Sequence, residues 1–192
     1  MEPSHVRTRG WTRAEYNRLI EIGVLDEDER IELLGGQLVV REPQYSPHAT
    51  AVRLADEALR RAFGPGWDVR SGLPVALDDE SEPEPDVCVV PGSPRDYRDA
   101  HPARPVLIVE MALSSLHVDR RLKAGLYARA GIGDYWIVNI AEQRLEVHRE
   151  PIPDPEAAHG SRYARIELLE GSQTVSPLAA PEARIAVLDL LP

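Results

Sequence analysis

Cysteine and lysine are almost missing from this 192-residue chain. Cysteine appears once, at Cys88, so no intramolecular disulfide can form and a thiolate-built zinc site is excluded. No apolar run approaches the ~18 residues needed to cross a bilayer, so no membrane span is expected. The opening stretch MEPSHVRTRGW holds no apolar core of the kind a signal peptide needs. A reducing, cytoplasmic setting is therefore the expectation. No GxSxG, Walker or GxGxxG pattern occurs. His48, His101 and His117 are dispersed, without the HxxxH or HxH spacing of a histidine-rich zinc site.

Lysine also appears once. Of 22 basic residues, Lys123 alone is not arginine. In a chain so biased, a lone lysine marks a position where a compact point charge is wanted and a planar guanidinium fork is not. The competing reading is chance survival.

What remains is globular in character: 43% hydrophobic and 28% charged residues, long enough to bury a core as one domain over residues 1–192. The formal net charge of −10 repels polyanions and argues against a generic nucleic-acid coat, but not against a local phosphate-handling site. Acid concentrates in 26-DEDE-29 and 78-DDESEPEPD-86, and such runs most often form solvated turns.

The hydrophobic pattern predicts a mixed α/β fold. Thr12 and Glu15 form a capping box at the head of a first helix, with Trp11 and Tyr16 as a staple and Gly23 as its stop. Residues 31–40 read as a hairpin around Gly35-Gly36. Ser46-Pro47 opens a second helix that ends at Gly64-Pro65-Gly66. Strands are expected at 67–71, 73–77 and 86–90, a loop at 91–105, then strand 106–110, helix 118–131 and strand 135–140. That last series is a βαβ crossover spanning 106–140, which makes its two strands parallel. Residues 144–148 are expected to hairpin back, 150–161 to form a Pro-rich loop, and 163–170 and 183–190 to add strands packed on the core.

Three residues carry the chemistry. Glu110 ends a strand whose four preceding residues are apolar, where an ionised carboxylate is costly unless paired or bound to metal. A salt bridge to Arg120 or Arg121, or a helix cap, is the alternative. Asp86 opens a neighbouring short strand after Pro85, where turn chemistry is the alternative. Two carboxylates at adjacent strand ends suit one hard cation such as Mg²⁺. Asp119, Lys123 and Tyr127 fall at i, i+4 and i+8 and share a helix face, opposite Leu122, Leu126 and Ala130; a plain Asp119–Lys123 ion pair is the competing reading. Two carboxylates, a divalent metal and a lysine suit phosphodiester hydrolysis. Cys88 alternates into a buried strand as an inert thiol.

The series ELLGGQLV, YSPH, PEPDVCVV, LIVEMALSS, VDRRLKAGLYARAG and DYWIVNIAEQRLEVHR resembles, in that order, the Uma-type putative restriction endonuclease family of the PD-(D/E)xK superfamily. The resemblance covers roughly residues 11–150. It implies a restriction-endonuclease-like core, with Asp86 and Glu110 as ligands of Mg²⁺ or Mn²⁺ and the Met111 carbonyl as a further donor. The superfamily lysine two residues after the glutamate is replaced by Ala112. The family is similar in moving its lysine to the next helix, which Lys123 matches. Glu32 matches an acidic residue that reaches the metal through water, His48 a residue at the substrate or a cap, and Asp119 and Tyr127 supporting positions. Where the family reads VLSPST, this chain reads MALSSL, and the missing proline alters the loop after Glu110. The resemblance implies a DNA endonuclease acting as a homodimer, with the apolar edges of the tail strands as candidate contacts. The alternative is a binding or assembly module that keeps the nuclease fold without turnover.

Overall fold

The computed structural model describes residues 8–41 and 43–192. The first seven residues, on which the signal-peptide expectation partly rests, and Glu42 lie outside the described residues.

Helix α1 (Arg13–Glu21) begins as its sequence dictates. The Thr12 hydroxyl accepts from the Glu15 amide, and the Glu15 side chain returns to the Thr12 amide. Strands β1 (Ile31–Leu34) and β2 (Gln37–Val40) form a two-stranded antiparallel sheet of their own. Gly35 and Gly36 turn between them with φ of 56° and 81°, the left-handed region glycine enters at no steric cost. Helix α2 (Ser46–Phe63) carries Pro47 in its first turn, but Tyr45, not Ser46, occupies the cap position.

A six-stranded sheet forms the centre, in the order β3 (Trp67–Ser71), β4 (Val87–Pro91), β5 (Leu107–Ala112), β6 (Asp134–Asn139), β7 (Arg144–Pro153) and β8 (Ser161–Glu170). Only β5 and β6 are parallel; the other neighbours are antiparallel. This is the crossover that the sequence pattern requires. Both faces are apolar. On one, Val87, Val89, Val109, Met111, Trp136 and Val138 pack with Ala55, Leu59 and Phe63 of α2 and with Val187 and Leu190 of the tail. On the other, Cys88, Ile108, Tyr135 and Ile137 pack with Ala124, Tyr127 and Ala128 of helix α3 (residues 116–129).

Three sequence expectations are corrected. Residues 73–77 are not a strand: Pro74 and the prolines of the acidic run remove ladder donors, and the segment is tied by scattered bonds such as Val75 N–H to the Pro83 carbonyl and Ala76 N–H to the Pro102 carbonyl. The Pro-rich loop shrinks, because β7 runs to Pro153 and β8 starts at Ser161. The 183–190 segment gives only a two-residue strand, β10 (Ile185–Ala186), paired with β9 (Thr174–Val175).

Helix α3 is also not uniform. It starts as Leu116–Val118, widens into a π-helical turn over Asp119–Lys123, and continues as α-helix over Ala124–Arg129. In the wide turn the Ala124 N–H reaches the Asp119 carbonyl, five residues back. Among the described residues, no helix is long and apolar enough to cross a membrane.

Candidate active site

A cavity of about 330 Å³ opens between the β1–β2 hairpin, the head of α2, the ends of β4 and β5, and the start of α3. Glu32, His48, Asp86, Glu110, Met111, Asp119 and Lys123 all line it. The Tyr127 hydroxyl reaches the same cluster from behind, 2.7 Å from Glu110 Oε1.

Glu110 is placed by the alternation of β5. Met111 faces the α2 side, so its neighbour Glu110 must face α3, in register with Ile137 and Glu146 across two strands. It is 2% exposed. Lys123 Nζ donates to Glu110 Oε1 at 2.9 Å, and the Asp86 N–H lies 3.4 Å from Oε2. Burial pushes the Glu110 carboxyl up to about 8, a rise that Lys123 opposes and that Asp86, Asp119 and Glu32 reinforce.

Asp86 is held from three sides. Its Oδ1 accepts from Arg41 Nη2 at 3.1 Å; its Oδ2 accepts from the Met111 N–H at 2.8 Å and faces His48 Nε2 at 3.1 Å. Burial works against the carboxylate, yet the His48 hydrogen bond, the charge of Lys123 and the Met111 N–H keep its pKa below the ordinary value. The two strand-end carboxylates therefore differ: Asp86 is held ionised, and Glu110 is pushed toward protonation.

Lys123 also lies 3.6 Å from Glu32 Oε1, whose other oxygen accepts from the Glu84 N–H at 3.0 Å. Burial opposes the ammonium, but Glu110, Glu32, Asp119 and Asp86 outweigh it and raise its pKa. The competing reading, a plain Asp119–Lys123 ion pair, does not form: Lys123 pairs with Glu110 and Glu32 instead. Asp119, also buried, accepts from the Ser115 hydroxyl at 2.6 Å, and burial raises its carboxyl despite Lys123 and that hydroxyl. Glu110 likewise pairs with neither Arg120 nor Arg121; Arg120 goes to Glu146 instead. Leu126 is fully buried as expected, whereas Leu122 and Ala130 are half-buried.

Sequence reasoning missed Arg41. It follows β2 outside any periodic pattern, and its guanidinium bridges Asp86 and Glu84. Burial opposes its charge, but Glu32, Asp86, Glu110 and Glu84 outweigh this and raise its pKa. The missed signal was the acid of 78–86, which needs a cation once part of it is buried. His117 reaches the cavity wall, whereas His101 does not. Cys88 is fully buried and its thiol is pushed up to about 12, as an inert core residue should be.

The donor set suits a hard divalent ion. Glu32, Asp86, Glu110 and Asp119 are buried carboxyl groups, faced by the cations Lys123 and Arg41, so acidic side chains outnumber basic ones and a cation would draw the raised Glu110 and Asp119 back to their ionised forms. His48 Nδ1 is buried without a hydrogen-bond partner. Among the described residues, no three His, Cys, Asp or Glu side chains form a ready-made ligand cluster. A two-carboxylate site completed by water accords with both facts.

A family model described as "Uma2: Putative restriction endonuclease" matches residues 13–188. The chain belongs to the Uma2 family. Among solved structures, a putative nuclease belonging to DUF820 from Anabaena variabilis is similar with a TM-score of 0.67 at 16% identity, over 90% of this chain and 96% of that one. The fold is thus restriction-endonuclease-like, and the cavity lies at the ends of β4 and β5. No curated protein gives a match.

Proposed function

We propose that this Uma2 chain is a divalent-metal-dependent endonuclease that hydrolyses DNA phosphodiester bonds. The observation that carries the reading is the buried ammonium of Lys123, 2.9 Å from Glu110 and 3.6 Å from Glu32, at the edge of an open acidic cavity. Asp86, Glu110 and the Met111 carbonyl are the groups to hold Mg²⁺ or Mn²⁺, with Glu32 reaching it through water. When bound, such an ion polarises a phosphoryl oxygen and lowers the pKa of a bound water.

The chain's own residues do the rest. Tyr127 and Lys123 both donate to Glu110 Oε1, which fixes that carboxylate and leaves Oε2 toward Asp86. Lys123 supplies the positive charge that orients the attacking water and stabilises the developing negative charge on phosphorus-bound oxygen. Glu32 and Asp119 keep the ammonium charged. Arg41, His48 and the Met111 N–H set the orientation of Asp86.

A second reading, a binding module that keeps this fold without turnover, is favoured by one observation: both Asp86 oxygens are already engaged by protein donors. Cleavage of plasmid and single-stranded DNA with Mg²⁺ or Mn²⁺ separates the two. The wild type should cut, and Lys123→Arg should lose about 10²-fold in rate, because the planar guanidinium does not place a point charge at the same spot. Near wild-type cleavage by Lys123→Arg would remove the lysine from the mechanism. No cleavage of any DNA or RNA by the wild type would favour the binding module.

A further inference from the structure

Strand β8 closes the central sheet, and among the described residues no strand pairs with its outer edge. A bare edge is a template for another strand, and proteins usually blunt it with charged side chains, proline or short length. β8 is ten residues long without proline, reads SRYARIELLE and exposes Ile166 (56%) and Leu168 (49%); its four charges are two Arg and two Glu, of opposite sign and so able to match rather than only repel a second copy.

Its sequence is also its own complement. An antiparallel second copy with Ile166 facing Ile166 sets Arg165 against Glu167, Arg162 against Glu170 and Ala164 against Leu168, each twice by symmetry. The centre is apolar and the flanks are of opposite charge. Sliding the copies by two residues in either direction places Arg165 against Arg165 or Glu167 against Glu167, so charge selects one register. In the single chain these charges make local contacts, Arg165 with Glu167 at 3.3 Å and Arg162 with Asp154 at 2.6 Å and with the Tyr163 carbonyl at 3.4 Å, and ion pairs this close to solvent exchange at little cost.

We infer that β8 is a homodimer interface, pairing antiparallel with β8 of a second copy about Ile166 and joining two six-stranded sheets into one. The twofold contact is isologous, the commonest arrangement in soluble oligomers. The inference stands independently of whether the cavity cleaves DNA.

Light scattering on the full chain tests it. The wild type should have dimer mass. Arg165→Glu alone and Glu167→Arg alone should each give monomers, since each sets like charges face to face. An equimolar mixture of these two variants should return to dimer mass, because every acid then faces a base. Ile166→Cys should cross-link to itself under oxidation, the native Cys88 being buried. Circular dichroism should be unchanged in all, as the three positions are exposed. A monomeric wild type, a dimer indifferent to both single reversals, or a mixture that stays monomeric would each overturn the assignment.

Discussion

The charged atoms of Lys123 and Glu110 meet at 2.9 Å although the residues stand 13 positions apart, one on a π-helical turn and the other on the central strand β5. Both are more than nine-tenths buried, so neither charge has water to fall back on. Removing one partner of such a pair is costly, because the other is left desolvated.

Lys123→Met should therefore destabilise the metal-free protein by about 3 kcal/mol. Glu110→Gln should cost less, since Tyr127 can still donate to an amide oxygen. The double variant should be less damaged than the sum of the two, with a coupling of about 1 kcal/mol or more. Urea unfolding of the four proteins gives the cycle. Additive effects would mean that the pair is not energetically joined.

Metal binding is read through stability. Mg²⁺ or Mn²⁺ at about 100 times its Kd should stabilise the wild type by about 2.7 kcal/mol, because the site exists only in the folded state. Asp86→Asn and Glu110→Gln should lose that rise in Tm, while Arg98→Ala, outside the cavity lining, should keep it. An undiminished response in both carboxylate variants would place the ion elsewhere.

Glu146 sets an acid limit. Burial works against its carboxylate, but His148 nearby, the bidentate Arg120 and the Asn139 amide outweigh this and hold its pKa down to about 2. A carboxyl depressed on folding contributes stability above its unfolded pKa and loses it as pH falls through the folded value. The wild type should therefore exceed Glu146→Gln by about 2–3 kcal/mol at neutral pH, and the gap should close between about pH 4.5 and pH 2. Denaturant midpoints across that range decide it; a gap constant with pH would remove Glu146 as the cause.

The hairpin turn is a backbone requirement. Gly35 has φ of 56°, and a Cβ there would run into the ring of His159 from the β7–β8 loop. Gly35→Ala should cost about 2 kcal/mol in all, part of it the left-handed backbone. Adding His159→Ala should recover only the steric part. Full recovery, measured by thermal unfolding, would show that the backbone conformation costs nothing.

Much of this was legible in the chain. The βαβ crossover followed from two apolar runs flanking a helical one, and the capping box at Thr12 and Glu15 forms as its spacing demands. Of the residues singled out for chemistry, Glu32, His48, Asp86, Glu110, Met111, Asp119 and Lys123 line one cavity and Tyr127 reaches Glu110 from behind it; buried carboxylates at adjacent strand ends need a cation, and Lys123 was the one that arginine bias left unexplained. The π turn was not legible, since its extra residue per turn leaves Asp119, Lys123 and Tyr127 on much the same face as a regular helix would. Residues 73–77 misled because a short apolar run suggests a strand even where prolines remove its ladder. Arg41 was hidden because its role depends on an acidic loop 40 or more positions away.

The β1–β2 hairpin that carries Glu32 belongs to no part of the main sheet. It hangs on the acidic run: Glu82 N–H to the Leu33 carbonyl, Gly36 N–H to the Glu80 carbonyl, Gly35 N–H to the Ser81 hydroxyl and Glu84 N–H to Glu32 itself. Amide hydrogen exchange should therefore detect this arm opening well below the global unfolding free energy, with the central strands still protected. The wall of the cavity that bears Glu32 is thus positioned by residues 80–84 and not by the central sheet that carries Glu110, so the width of the entrance depends on a segment whose composition reads as mere solvent-facing turn.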